Sequence, residues 1–65
     1  MTNGTVKFFD TQKGFGFIET SALDDDVFFH MDDVDGPDPR EGQGVEFTIE
    51  QAPRGPRAKG VTFTE

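Results

Sequence analysis

Five short runs of the chain are rich in Thr, Val, Ile and Phe and are bounded by Gly, Pro or Asp: residues 5–10, 14–20, 26–31, 44–51 and 58–64. β-Branched and aromatic side chains suit a pleated, half-buried surface, and the flanking residues form turns, so each run predicts a strand. Apolar residues nowhere recur at i, i+3, i+4 and i+7 over three turns, and no helix is predicted. The fold class that follows is all-β, a barrel or a sandwich. The connection over 32–43 is long and carries Gly36-Pro37-Asp38-Pro39, which bars a strand or helix through its centre. Pro53-Arg54-Gly55-Pro56 marks the last turn.

Alternation then sorts side chains into faces. In the fourth run Val45, Phe47 and Ile49 oppose Glu46, Thr48 and Glu50; in the fifth, Val61 and Phe63 oppose Thr62 and Thr64. These two runs read as core on one side and water on the other. The first three are apolar on both sides. Gly16 and Ile18 oppose Phe15 and Phe17, and Val27 and Phe29 oppose Phe28 and His30. Val6 opposes Phe8, while Lys7 and Phe9 are left open between the two faces. A barrel this small has one interior. Phe29, Phe47 and Phe63 are assigned to it, and Phe8, Phe15, Phe17 and Phe28 are left facing outward. An exposed aromatic patch of this kind marks an interaction surface.

Sixty-five residues are read as one domain, 1–65, with marginal stability expected from so small a core. The sequence has no cysteine and no apolar run long enough to span a bilayer. Met1-Thr2-Asn3-Gly4 lacks the basic and apolar regions of a signal peptide, so a cytoplasmic protein is expected. Thirteen acids against six Lys plus Arg give a net charge of −7, which as a sum argues against a polyanion partner. Distribution changes that picture. Lys7 and Lys13 lie among the first aromatics, Arg54, Arg57 and Lys59 cluster near the end, and Arg40 stands apart. Asp outnumbers Glu and Lys is scarce, a balance that suits a halophilic protein kept soluble by its charge.

His30 is the single histidine, and no nucleophile–base pair or metal cluster accompanies it, so neither an enzyme nor a cofactor is expected. Asp24-Asp25-Asp26 lacks the alternating ligand spacing of a calcium loop. The specific signal is Lys13-Gly14-Phe15-Gly16-Phe17-Ile18, an RNP1-type pattern. Two aromatics at i and i+2 on a strand project from one face. The glycine between them is expected to keep that face open, so that bases lie flat on the rings while a lysine meets phosphate. Phe28 and His30 supply a second strip. Each base stacked on an aromatic ring contributes about 1–3 kcal/mol. An RNA recognition motif would need two helices. The remaining candidate is a five-stranded antiparallel Greek-key barrel, the OB-fold, whose second and third strands form the binding face.

Over nearly its whole length the sequence resembles the cold-shock domain family. The resemblance is carried by Gly4-Thr5-Val6-Lys7-Phe8-Phe9-Asp10, Lys13-Gly14-Phe15-Gly16-Phe17-Ile18, Asp26-Val27-Phe28-Phe29-His30 and Gly55-Pro56-Arg57-Ala58. It implies a small closed barrel binding single-stranded RNA and DNA with loose pyrimidine preference, and a role as an RNA chaperone or antiterminator. Lys7, Phe8, Lys13, Phe15, Phe17, Asp26, Phe28, His30 and Arg54 match the family's contact positions. Phe8 stands where the family usually has tryptophan, so weaker stacking is implied there. Asp10 replaces a usual asparagine, and Met31 a usual phenylalanine; a thioether can cover a base but is a poorer platform. The long loop lacks the aromatic many members carry, which implies one base subsite fewer. Arg57 and Lys59 are more basic than those positions usually are and are expected to compensate. A monomer is expected. The competing reading is a barrel whose phenylalanine face docks a protein partner or a second copy.

Overall fold

The structure, a computed structural model, describes residues 1–64. Its strands are β1 (Thr2–Asp10), β2 (Phe15–Glu19), β3 (Val27–His30), β4 (Gly44–Ala52) and β5 (Gly55–Phe63), with one 3-10 turn at Met31–Asp33. They close into a barrel in the order β1-β2-β3-β5-β4. The expected five-stranded all-β barrel forms, with one refinement. β3 and β5 run parallel, whereas the other neighbouring pairs are antiparallel. The reason is topological. Directions cannot alternate all the way round a closed ring with an odd number of strands, so one pair must be parallel.

Strand ends differ from the sequence reading for local reasons. β1 begins at Thr2, where Asn3 and Gly4 pair with Glu46 and Val45 of β4. Asn and Gly are poor strand formers, yet Gly4 is needed here. A Cβ on it would lie 2.6 Å from Ile18 Cγ2 and 2.8 Å from the Glu19 carbonyl oxygen. β5 starts at Gly55, directly after the tight Pro53-Arg54 turn, rather than at Ala58. The 32–43 connection holds no central strand or helix. It is tied down near its start, where Val34 bridges Val61 and the Asp35 N–H donates to the Val61 carbonyl at 2.8 Å.

The interior is filled by Val6, Ile18, Val27, Phe29, Val45, Phe47, Ala58 and Val61, each at most 1% exposed. Phe9, Ile49 and Phe63 pack against this cluster from its margin. Phe9, open on sequence grounds, therefore turns inward, its ring stacked 5.7 Å from that of Phe29. Strict alternation would put Val6 and Phe8 on one side. The register instead slips between them: Val6 faces Ile18 and Phe8 faces Phe17, leaving Lys7 as the extra residue of a bulge. The bulge lets Val6 point into the core and Phe8 out of it.

Candidate nucleic-acid interface

The outer face of β1–β3 is built by the same alternation that fills the core. Gly16, Ile18, Val27 and Phe29 are buried, so Phe15, Phe17, Phe28 and His30 emerge between them on the other side, half-buried among themselves. Cross-strand pairing sets Phe17 opposite Phe28 and Phe15 opposite His30. Phe8 joins from β1, opposite Phe17. The four rings form one continuous strip. Centroid separations are 6.4 Å for Phe8–Phe17, 6.1 Å for Phe15–Phe17, 5.7 Å for Phe15–Phe28 and 6.0 Å for Phe17–Phe28. Stacked and edge-on pairs alternate, so the rings brace one another. Phe8, at 41% exposure, presents the most open ring.

Gly16 has a different task from the one its place between two phenylalanines indicated. It lies on the inner face. A Cβ there would overlap the Phe8 carbonyl oxygen and come within 2.9 Å of two atoms of the Phe29 ring. Its bare backbone therefore admits Phe29 to the core and lets β1 approach β2; it does not clear the outer face. Gly14, at φ +73°, makes the turn into β2. Its carbonyl accepts the Met31 N–H at 2.8 Å, and the Met31 thioether lies over it. Met31 is 43% exposed and continues the apolar surface past His30. Asp10 braces the same turn through one carboxylate oxygen, which accepts the backbone N–H groups of Gln12 and Lys13 at 2.9 and 3.1 Å. Those bonds need only an acceptor oxygen, so aspartate serves in them as asparagine would.

His30 caps the 3-10 turn: its Nδ1 accepts the Asp32 N–H at 3.2 Å. That bond places the ring proton of the neutral imidazole on Nε2, the nitrogen left to donate elsewhere. At the other end of the strip, Lys7 Nζ lies 3.1 Å from Asp26 Oδ2, so two of the sequence-selected residues pair with each other. On the far side the β3–β5 contact sets Phe28 beside Arg57. The β4–β5 turn then overhangs the strip. Phe17, Phe28, Pro53, Arg54, Pro56 and Arg57 line a cleft of about 490 Å³ between rings and turn. Lys7, next to Phe8, and Arg54 and Arg57, in the cleft with Phe17 and Phe28, thus border one aromatic surface. Of the residues selected from sequence, Phe8, Phe15, Phe17 and Phe28 form this surface and Arg54 and Arg57 border it, while Lys13 is exposed in the turn before β2.

Two parts of the site had no sequence signal. The proline wall of the cleft, Pro53 and Pro56, reads from residue pattern as a turn, and no pattern sets it over Phe17; that place follows from the parallel β3–β5 contact. Asp33, which holds Arg57, is 24 residues away from it in sequence. Among the described residues no cluster of three or more His, Cys, Asp or Glu is placed to hold a metal.

A closed five-stranded barrel with an aromatic strip across β1–β3 is a barrel of the OB class. Residues 2–64 match the model of the 'Cold-shock' DNA-binding domain. Cold shock-like protein CspLB of Listeria monocytogenes is 49% identical, covering 95% of this chain and 97% of its own length. Probable cold shock protein A of Mycolicibacterium smegmatis and Cold shock protein CspD of Bacillus subtilis are each 47% identical over 94% of this chain and 96% of theirs. The solved structure of drosophila Unr CSD456 superposes with a TM-score of 0.83 at 24% identity, over 98% of this chain and 26% of that one. The chain belongs to the cold-shock domain family, a family of nucleic-acid-binding domains.

Proposed function

We propose that this domain binds single-stranded, pyrimidine-rich RNA and DNA by stacking bases on Phe8, Phe15, Phe17 and Phe28. It acts in the cytoplasm as a monomeric RNA chaperone or antiterminator that holds weak secondary structure open. The observation that carries this reading is the continuous strip of four rings on the outer face of a barrel whose core is already filled. Bases lie against the rings with phosphates toward solvent. His30 and Met31 extend the platform, Asp26 accepts a base hydrogen bond, and Lys7, Lys13, Arg54 and Arg57 flank the strand. Three or four stacked bases at about 1–3 kcal/mol each offset the cost of ordering the strand, for a dissociation constant of about micromolar to tens of nanomolar.

Titration of labelled oligo-dT and oligo-U, followed by anisotropy and by amide NMR shifts, tests the reading. Saturable binding with shifts at Phe15, Phe17, Phe28 and His30 supports it. Shifts that depend on protein concentration alone would make the strip a self-association surface instead. With a net charge of −7, stacking outweighs counterion release, so affinity falls only shallowly with salt. The acidic surface also points to a halophilic setting, in which screening relieves repulsion between clustered carboxylates. The β-rich circular dichroism spectrum is then lost as salt is lowered; a spectrum unchanged in low-salt buffer rules that setting out.

A further inference from the structure

The cations around the aromatic strip fall into two electrostatic groups. Lys13 and Arg54 form no ion pair among the described residues. Arg57 is held. Its Nε and Nη2 both donate to Asp33 Oδ2, at 3.1 and 2.8 Å, and Lys59 Nζ lies 3.8 Å from Asp33 Oδ1. The Asp33 side chain is 14% exposed and that of Arg57 35%, so this pair is better shielded from water than Lys7–Asp26.

Asp33 is not needed to anchor its own segment. The Val34–Val61 bridge, the Asp35-to-Val61 hydrogen bond and the packing of Val34 against the core already do that. The work of the carboxylate is on the two cations. Held along its Nε–Nη2 edge, the guanidinium has received what a phosphate would offer there. Its Nη1 group is not used by Asp33, and Arg57 itself pairs with Phe28 in the β3–β5 register.

We propose that Asp33 is an internal stand-in for phosphate: it fixes Arg57 beside Phe28 as a neutralised, planar donor. Arg57 then contributes hydrogen bonding and packing to a base, and little electrostatic attraction to the backbone. That attraction comes from the unpaired Lys13 and Arg54. This inference rests on the nucleic-acid reading above and assigns part of the shallow salt dependence to one residue. Asp33 is a positioning residue, since it acts through Arg57.

Asp33→Asn tests it, because the amide oxygen still accepts from Arg57 while the charge is gone. The affinity for labelled oligo-dT is measured by anisotropy across a series of KCl concentrations, with folding checked by circular dichroism. Asp33→Asn steepens the slope of log K against log salt by roughly 0.7–1.4, one or two phosphates at about 0.7 each for single strands. Glu46→Gln makes the same change in net charge on the outer face of β4, between Asn3 and Thr62, and leaves the slope unchanged. A second pair of variants carries the test if Asp33→Asn does not fold. Arg54→Gln flattens the slope by about 0.7, whereas Arg57→Gln weakens binding at every salt concentration without changing it. An unchanged slope in Asp33→Asn, an equal shift in Glu46→Gln, or a flattened slope in Arg57→Gln overturns the assignment while nucleic-acid binding stands. Failure of the unmodified protein to bind oligo-dT or oligo-U overturns both.

Discussion

Phe28 and Phe29 are neighbours of the same residue type on one short strand, and they do opposite work. Phe29 is fully buried, stacked on Phe9 and seated against the bare backbone of Gly16. Phe28 is half-buried on the other side, among Phe15, Phe17 and the overhanging turn. Phe29 leaves water wholly and Phe28 in part, but only the first does so for the fold. A large side chain raises stability when its neighbours close over it. The same side chain becomes a platform when its neighbours brace it from the sides and leave its outer surface bare. In a barrel with a single interior, period-two alternation is enough to produce both.

The largest expected effects lie on the inner side. Phe29→Ala removes a ring from a core of eight buried residues and costs about 3–5 kcal/mol. A domain of this length has about 3–10 kcal/mol in total, so urea or thermal unfolding followed by circular dichroism should show most of the stability gone. Gly16→Ala is expected to do comparable damage. The obstructing atoms are backbone and a core ring, which no rotamer change can clear. If Gly16→Ala folds as stably as the parent, the inner-face role given to that glycine is wrong.

That role also marks where the sequence was legible and where it was not. The split of Phe28 from Phe29, and of Phe15 and Phe17 from Gly16 and Ile18, is readable because strands alternate sides whatever they pack against. The strand pattern alone leaves a barrel or a sandwich open; the RNP1-type pattern and the lack of helices point to the barrel, whose single interior leaves the extra rings outside. The purpose of Gly16 was not readable, because it depends on Phe29 and on a carbonyl of another strand. The sequence sets Val6 against Phe8, but Val-Lys-Phe alternates strictly, and only pairing with β2 exposes the bulge at Lys7 that turns them to opposite faces. Asp33 stands among several aspartates in a polar loop, and nothing near it in sequence singles it out as the partner of Arg57. Local patterns give faces; contacts between distant segments give register, charge pairing and the wall of the cleft.

The outer side should respond in the reverse manner. Phe28→Ala is expected to lower affinity for oligo-dT by about 1–3 kcal/mol, roughly 5- to 150-fold. Its cost in stability should stay near 1 kcal/mol, because the ring is only partly removed from water. Anisotropy titration and a urea melt on the same sample separate the two quantities. If the melt shifts as far as in Phe29→Ala while affinity per folded molecule is kept, the outer strip is core in disguise. Phe8→Trp probes the same face by addition. Phe8 has the most open ring and one aromatic neighbour, Phe17, so a larger indole has room to cover more of a base. Affinity should tighten by about 0.5–1 kcal/mol with no loss of stability. The indole also supplies a fluorescence signal that the parent lacks, since the sequence has no Trp or Tyr.

The smallest effect expected lies at the rim, where neither face claims the side chains. Lys7 and Asp26 join the bulge of β1 to the entry of β3, but their side chains are 55% and 38% exposed. An ion pair so open to water gains little, because solvent screens it and two flexible side chains must be held. A double-mutant cycle over Lys7→Ala, Asp26→Ala and the double variant should give a coupling of about 0.2–0.5 kcal/mol in unfolding free energy. Read in oligonucleotide affinity, each single substitution should weaken binding while the coupling stays as small, since separate ligand contacts cancel in the cycle. Should the stability coupling exceed about 1 kcal/mol, the pair is a clasp for the loop before β3. The rim would then belong with the fold and not with the platform.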